Sequence, residues 1–505
     1  MRKLLLGLGL MALSIAGASQ NPILRKGAVQ QYVDSVASLE PLKSGLMGML
    51  AVTADGDTLV NLNSLRKLIP ASNTKLITTG VALYSLGPDF DFVTELGCTG
   101  KIRRGVLHGD IIIKGGGDPT LGTTDSLALK PEDLFASWMD FFPSALTTSN
   151  KVPGLKRTQI RKIKGRIIGD GSYFDGPIEK SSWAYDDLGT DYGTGCNGLM
   201  FNENVQQFMV SPGSEVGEYV AFIPIYPHTP WMNFTGTAIT SKAGSGDNLS
   251  LCNTDMAPIA DLRGDYAIDN GSKIEIFSNK FGARTCAYAF YEYLQGKGIK
   301  VTGEATDEVP EDSSTIFLGK TYSAPLRDII RETNYKSDNL FAETLLRTVG
   351  KKYTGSASYD SSYVAERKVF TKLGVDYSYG ARIVDGSGLS RHNYISPDFF
   401  CRFLRAMSGT EVFRDYLHSL PQAGSGTLKS RLNNLPDSTR SRIFMKSGSM
   451  NGVLCYSGYI LPAGENKGKM IYFSIMTNNC TVPSGKVGSI LDGVIGTLAI
   501  NQPSN

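Results

Sequence analysis

The hydrophobic pattern of this chain changes character twice, and that change limits the possible folds more than any other feature. In the first 88 residues helical and hairpin patterns alternate. Residues 28–42 carry Tyr32, Val36 and Leu39 on one helical face, residues 45–60 alternate like a hairpin with Asp55-Gly56 as the turn, and residues 72–84 repeat Ile77, Val81 and Tyr84. From Asp89 to about Ala283 the pattern becomes β-like, with strands at 92–99 and 109–114 and Gly-rich turns through 211–254. Helices return from Thr285, then at 325–333, 337–350, 362–374 and 397–408. Strand-like runs follow at 442–446, 456–461 and 469–477, and a last helix at 487–500. The residues predict an α+β body interrupted by a β-rich insert. No internal repeat is visible.

Composition matters mainly for what it excludes. Hydrophobic residues make up 41% and charged residues 20% of 505, which is globular chemistry and neither disordered nor collagen-like. The formal charge of +3 lacks the strong basic excess of a nucleic-acid binder. The basic stretch at 151–165 reads as a solvated loop. Arg2 and Lys3, the apolar run 4–15 and Ala16-Gly17-Ala18 form a secretory signal pattern, with cleavage expected near Ala18. The run is too short to span a membrane, which takes roughly 20 apolar residues. No later segment is long and apolar enough, so no transmembrane span is expected in the mature chain, which would be exported and periplasmic. The seven cysteines are in no CxxC pair, so neither a zinc nor a redox motif is present, and most read as buried apolar residues.

Only four histidines are present, at 108, 228, 392 and 418, an awkward supply for a Ser-His-Asp triad. A lysine kept neutral can activate a serine instead, and Ser-x-x-Lys places both on one helical face. Two such pairs exist, Ser64/Lys67 and Ser72/Lys75, about the number expected by chance. Pro70 stops any helix starting at Ser64, whereas Ser72 opens a periodic helix, so Ser64/Lys67 is read as the decoy. A polar Ser-x-Asn follows at Ser337-Asp338-Asn339, on a helix start, and a Lys-Ser-Gly at Lys446-Ser447-Gly448, after a strand-like run. The earlier Lys43-Ser44-Gly45 precedes the serine and breaks the order. Three short motifs in order, each on a suitable element, are far more specific than any one of them. Asp118, Asp170, Asp186 and Asp187 are read as turn residues, His392 as a loop residue and residues 385–388 as a shaped turn.

With these motifs the chain resembles the penicillin-binding protein 4-type, low-molecular-mass class C, D-alanyl-D-alanine carboxypeptidases and endopeptidases. The matching stretches are PASNTK at 70–75, SAPLRDIIRETNYKSDNLFAETLLR at 323–347, DGSGLSRHNYISP at 385–397, AGSGTLKSR at 423–431 and MKSGSMNGV at 445–453. The insert matches in LHGDIIIKGGGDPTL at 107–121, IIGDGSYFDG at 167–176 and the stretch 183–204. Ser447 stands where Thr is commoner, and the segment 130–165 matches poorly.

The resemblance implies a serine β-lactamase/DD-transpeptidase-like domain, an antiparallel sheet flanked by helices, formed by residues 19–90 and 284–505. Residues 91–283 would be the insert, in two subdomains. It implies a serine D-Ala-D-Ala carboxypeptidase acting on peptidoglycan stem peptides through an acyl-enzyme, with endopeptidase action on cross-links as a further activity. Ser72 would be the nucleophile, Lys75 the general base and Ser337 the proton relay to the leaving amine. Asn339 would bind the stem peptide, and Lys446 and Ser447, with Gly448 giving close backbone approach, the terminal carboxylate. The N–H groups of Ser72 and Ser449 would form the oxyanion hole. β-Lactams would acylate Ser72. No cofactor or metal is implied. Two alternatives remain, a serine β-lactamase and a non-catalytic cell-wall-binding protein.

Overall fold

The computed structural model describes residues 26–124, 126–142, 160–311, 315–464 and 469–502. The expected signal segment and most of the basic stretch 151–165 lie outside them. No helix among the described residues is long and apolar enough to cross a membrane. The described residues form two compact units, one drawn from the ranges 1–68, 396–405 and 422–505, the other from 69–395 and 406–421.

The first unit is built on a five-stranded antiparallel sheet in the order Thr58–Leu62, Leu46–Thr53, Ile471–Asn478, Val453–Ile460, Ile443–Met450. Two of its three inner strands, Val453–Ile460 and Ile471–Asn478, are buried at every position, because helices cover both faces. On one face Leu454, Tyr456 and Ile460 join a core with Val33 of helix Lys26–Ala37 and Leu491 and Val494 of helix Ser484–Ile500. On the other, Tyr459 Oη donates to Leu404 O at 2.9 Å. The last two strands of the order meet through Asn451-Gly452, with Gly452 at φ +77°, a conformation that favours Gly.

The second unit holds most of the sequence-predicted insert and a set of helices. A five-stranded sheet, Ala305–Thr306, Ile167–Asp170, Ile111–Lys114, Val93–Cys98, Ile316–Tyr322, packs on helix Gly282–Gly296 through an aromatic core that includes Phe135, Trp138, Phe201 and Phe290. A smaller β-rich body from Val205 to Ser278 has its own core around Phe208, Tyr266 and Phe277. Helices Thr74–Leu86, Leu326–Lys336, Asn339–Thr354 and Tyr359–Lys372 pack together in the same unit.

Three local expectations are corrected. The predicted insert also contains a helix, Pro131–Asp140, which starts on Pro131, carries Glu132 and Asp133 in its first turn and buries Leu134, Phe135 and Trp138 on one side. Ser72 lies in a 3₁₀ turn, Ala71–Asn73, just before the α-helix Thr74–Leu86. Finally, Lys446-Ser447-Gly448 lies inside its strand, because the ladder with Val453–Ile460 runs on to Met450.

Candidate active site

Ala71 enters the serine turn at φ +47°, a left-handed conformation that costs a non-glycine residue about 1 kcal/mol or more. Gly388 packs so tightly against it that a Cβ there would stand 1.9 Å from Ala71 O. The strained turn brings Ser72 to the helix start, one turn ahead of Lys75. Lys75 is fully buried, and its Nζ lies 3.1 Å from Ser72 Oγ, 2.6 Å from Asn339 Oδ1 and 2.8 Å from Ser387 O. The structure thus brings Ser72, Lys75 and Asn339 into one cluster. Ser64 sits on a turn and Lys67 on the irregular segment after it, not on a helix, in the other unit.

Helix Thr74–Leu86 is fixed by bonds along its length. Thr78 Oγ1 donates to Gly386 O at 2.7 Å, Tyr416 Oη to Leu76 O at 2.9 Å, and Asn334 Nδ2 to Thr79 Oγ1 at 3.2 Å. Asn339 is placed by the junction of two helices. Leu326–Lys336 ends at Ser337, which takes a left-handed φ of +64°. Asp338 then caps helix Asn339–Thr354, accepting from Phe341 N at 2.8 Å. Ser337, Asp338 and Asn339 line a cleft of about 230 Å³ shared with Tyr192, Glu203 and Ile276.

Burial drives the Lys75 ammonium pKa down to about 8, although Asp338, Glu343 and Asp385 pull it back up. Close to a tenth of the side chain is then the free amine at neutral pH, enough for a general base. Burial also raises the pKa of the Glu343 and Asp385 carboxyls.

These two carboxyls shape the loop that supplies Ser387 O. Glu343 Oε1 accepts from Ser387 N at 2.7 Å and its Oε2 from Gly386 N at 3.1 Å. Asp385 accepts from Ser390 N at 2.6 Å, Asn393 Nδ2 at 2.7 Å, Gly388 N at 2.9 Å and Trp183 Nε1 at 3.0 Å. Residues 385–388 are a shaped turn, as expected, yet the carbonyl that reaches Lys75 was not anticipated. One signal was available: Glu343 follows Asn339 by four, one helical turn along the same face.

The remaining predicted residues lie in the first unit. Lys446 is fully buried on the edge strand Ile443–Met450, with Nζ 2.8 Å from Ser447 O. Ser447 Oγ donates to Thr427 Oγ1 at 2.9 Å, Gly448 pairs with Cys455, and Ser449 is exposed opposite Leu454. An edge strand offers backbone groups to an extended peptide.

The other singled-out residues have local partners. Asp118 is buried and accepts from Thr120 N at 2.9 Å and Oγ1 at 2.7 Å, and Asp170 accepts from Ser172 N at 2.9 Å. Exposed His392 donates its backbone N–H to Ser390 Oγ at 3.1 Å. Six cysteines are buried and none of the seven is in a disulfide. No group of metal-ligating side chains occurs among the described residues.

Comparison with known proteins places the chain in a family. The family model described as "D-Ala-D-Ala carboxypeptidase 3 (S13) family" matches residues 29–491, and the chain belongs to that family. It is a serine-type D-Ala-D-Ala carboxypeptidase. A D-alanyl-D-alanine carboxypeptidase of Actinomadura sp. is 27% identical over 94% of this chain and 86% of its own length. The D-alanyl-D-alanine carboxypeptidase DacB of Haemophilus influenzae is 24% identical over 85% of each chain. Penicillin binding protein 4 of H. influenzae has the same fold, with a TM-score of 0.76 at 21% identity over 94% of this chain and 98% of that one. It has also been solved in complex with a β-lactam.

Proposed function

We propose that this chain cleaves the terminal D-Ala from peptidoglycan stem peptides with Ser72 as nucleophile and Lys75 as general base. The observation that carries the reading is the buried Lys75 amine, lowered to a pKa of about 8 and 3.1 Å from Ser72 Oγ. The free amine takes the Ser72 proton as Oγ attacks the carbonyl of the penultimate D-Ala, and the N–H groups of Ser72 and Ser449 stabilise the oxyanion. Ser337 and Lys446 return a proton to the leaving amine. Asn339 binds the stem peptide, Lys446 and Ser447 bind the terminal carboxylate, and Gly448 lets the substrate backbone approach the strand. Water then releases the acyl group from Ser72. A β-lactam, which mimics acyl-D-Ala-D-Ala, acylates the same oxygen. That its relative in H. influenzae has been solved with a β-lactam bound supports this reading.

The reading extends to organisation and location. Residues 19–90 and 284–505 form the catalytic domain, 91–283 its two-part insert, and 1–18 direct export to the periplasm. The test is incubation of wild type, Ser72→Ala and Ser64→Ala with fluorescent penicillin and a peptide ending in D-Ala-D-Ala. Labelling and D-Ala release are expected to vanish only in Ser72→Ala. Loss in Ser64→Ala instead would move the nucleophile to the other Ser-x-x-Lys.

A further inference from the structure

Asn339 carries an amide with two chemically different ends, and only one suits the ammonium form of Lys75. Its Oδ1 accepts from Lys75 Nζ while its Nδ2 donates to Tyr192 O at 2.9 Å. The Tyr192 carbonyl therefore fixes which end faces the amine. Tyr192 belongs to the insert, in a 3₁₀ turn Asp191–Gly193. That turn is folded tightly: a Cβ on Gly193 would stand 1.9 Å from Asp187 O, and Tyr192 Oη donates to Asp187 Oδ1 at 3.1 Å.

The turn is clamped from one side by the end of strand Lys273–Ser278 and the residues after it. Ser278 N donates to Gly189 O at 3.0 Å, Ser278 Oγ to Leu188 O at 2.9 Å, and Thr190 pairs with Phe277. The last clamp is ionic. Lys280 has a fully buried side chain, and its Nζ donates to Gly193 O at 2.6 Å and pairs with Glu179 Oε1 at 2.7 Å. Burial lowers the Lys280 pKa and raises that of Glu179, so both charges are held there against desolvation. A hydrophobic pair of similar volume would serve packing alone about as well.

We infer that Lys280, paired with Glu179, is a positioning residue for catalysis: by holding Gly193 O it sets the Tyr192 carbonyl that orients the Asn339 amide toward Lys75. This gives the β-rich insert a part in the chemistry. The inference rests on the assignment of Ser72 and Lys75 made above. Without the clamp the turn relaxes, the Asn339 amide is free to rotate, and its NH₂ end can face Lys75. The ammonium form then loses an acceptor, so the Lys75 pKa falls further.

The test is the second-order rate of fluorescent-penicillin acylation across pH, with thermal unfolding of each variant. Lys280→Met is expected to slow acylation by about tenfold to 10²-fold, the scale of a misplaced catalytic group, and to move the rising limb of the profile to lower pH. A smaller folded fraction would lower the rate without moving the limb. Lys280→Arg keeps the donor and is expected to recover part of the rate. The double variant Lys280→Met with Glu179→Gln leaves no unpaired buried charge, so it should fold even where Lys280→Met does not, and it should still acylate slowly. Lys273→Met breaks a different ion pair of the insert, with Asp247 and Glu275, and is expected to acylate like wild type. Folded Lys280→Met, or the folded double variant, acylating at the wild-type rate with an unmoved limb would overturn the inference. Wild type that fails to acylate would defeat the Ser72/Lys75 assignment, and the inference with it.

Discussion

Lys75 and Lys446 are both fully buried lysines among the predicted site residues, and the elements that carry them are built differently. The partners of Lys75 include Asn339 and Ser387, 264 and 312 residues along the chain. Lys446 bonds the carbonyl of the next residue, in a strand whose neighbour returns through the two-residue turn at Asn451-Gly452. One lysine sits in a pocket assembled from distant segments, the other on a local hairpin. The difference teaches where function is fragile. A change at a remote residue can alter the Lys75 pocket, whereas the Lys446 strand depends on ladder and turn.

The largest test of the comparison is at the nucleophile. Ser72→Ala should lower D-Ala release by about 10⁴-fold or more, measured by coupled detection of free D-Ala, since a nucleophile has no substitute in its pocket. Release within tenfold of wild type would remove the Lys75 cluster from the chemistry.

Next is the electrostatics of the pocket. Acylation needs the free amine, so the wild-type rate should rise with pH through about 8. The Glu343 charge raises the Lys75 pKa. Removing it in Glu343→Gln should therefore shift the rising limb to lower pH, read as the midpoint of the penicillin acylation profile. A limb that moves to higher pH would contradict the arrangement.

Trp183→Phe probes the same pocket through its support. It strips one donor from the buried Asp385 carboxyl and should cost about 1–2 kcal/mol of stability by urea titration, with slower acylation. On the hairpin side Gly452→Ala forces a side chain into φ +77°, at about 1 kcal/mol, with space for the methyl itself. The smallest effect is expected for Ser447→Thr. The hydroxyl survives, so peptide KM should change by less than about threefold, the scale of a contact kept.

Much of the site was legible because its motifs are local. Ser-x-x-Lys reads directly as an i, i+3 pair and Ser337-Asp338-Asn339 as a helix start, whereas Lys446-Ser447-Gly448 reads as following its strand and lies inside it. The helices after Thr285 fall within a few residues of their expected bounds, since strong apolar periodicity survives packing. Helix Pro131–Asp140 carries ordinary helix signals, a Pro131 start and an acidic first turn, but it is short and lies within a long β-like stretch that masks its period. The contribution of Ser387 was legible only indirectly, through Glu343 one helical turn from Asn339. A backbone carbonyl has no residue type to recognise, and its position is set by Glu343 and Asp385 from two separate segments.

The sequence by itself determined the chemistry available: a serine one turn from a lysine, a Ser-x-Asn on a helix start, a Lys-Ser-Gly on a strand, and too few histidines for the usual triad. Tertiary structure decided whether that lysine could act as a base. Spacing places Lys75 beside Ser72, but the surrounding fold strips its water, lowers its pKa to about 8 and balances it against three carboxyls. Desolvation is a property of everything packed around an atom, which neighbours in sequence do not encode.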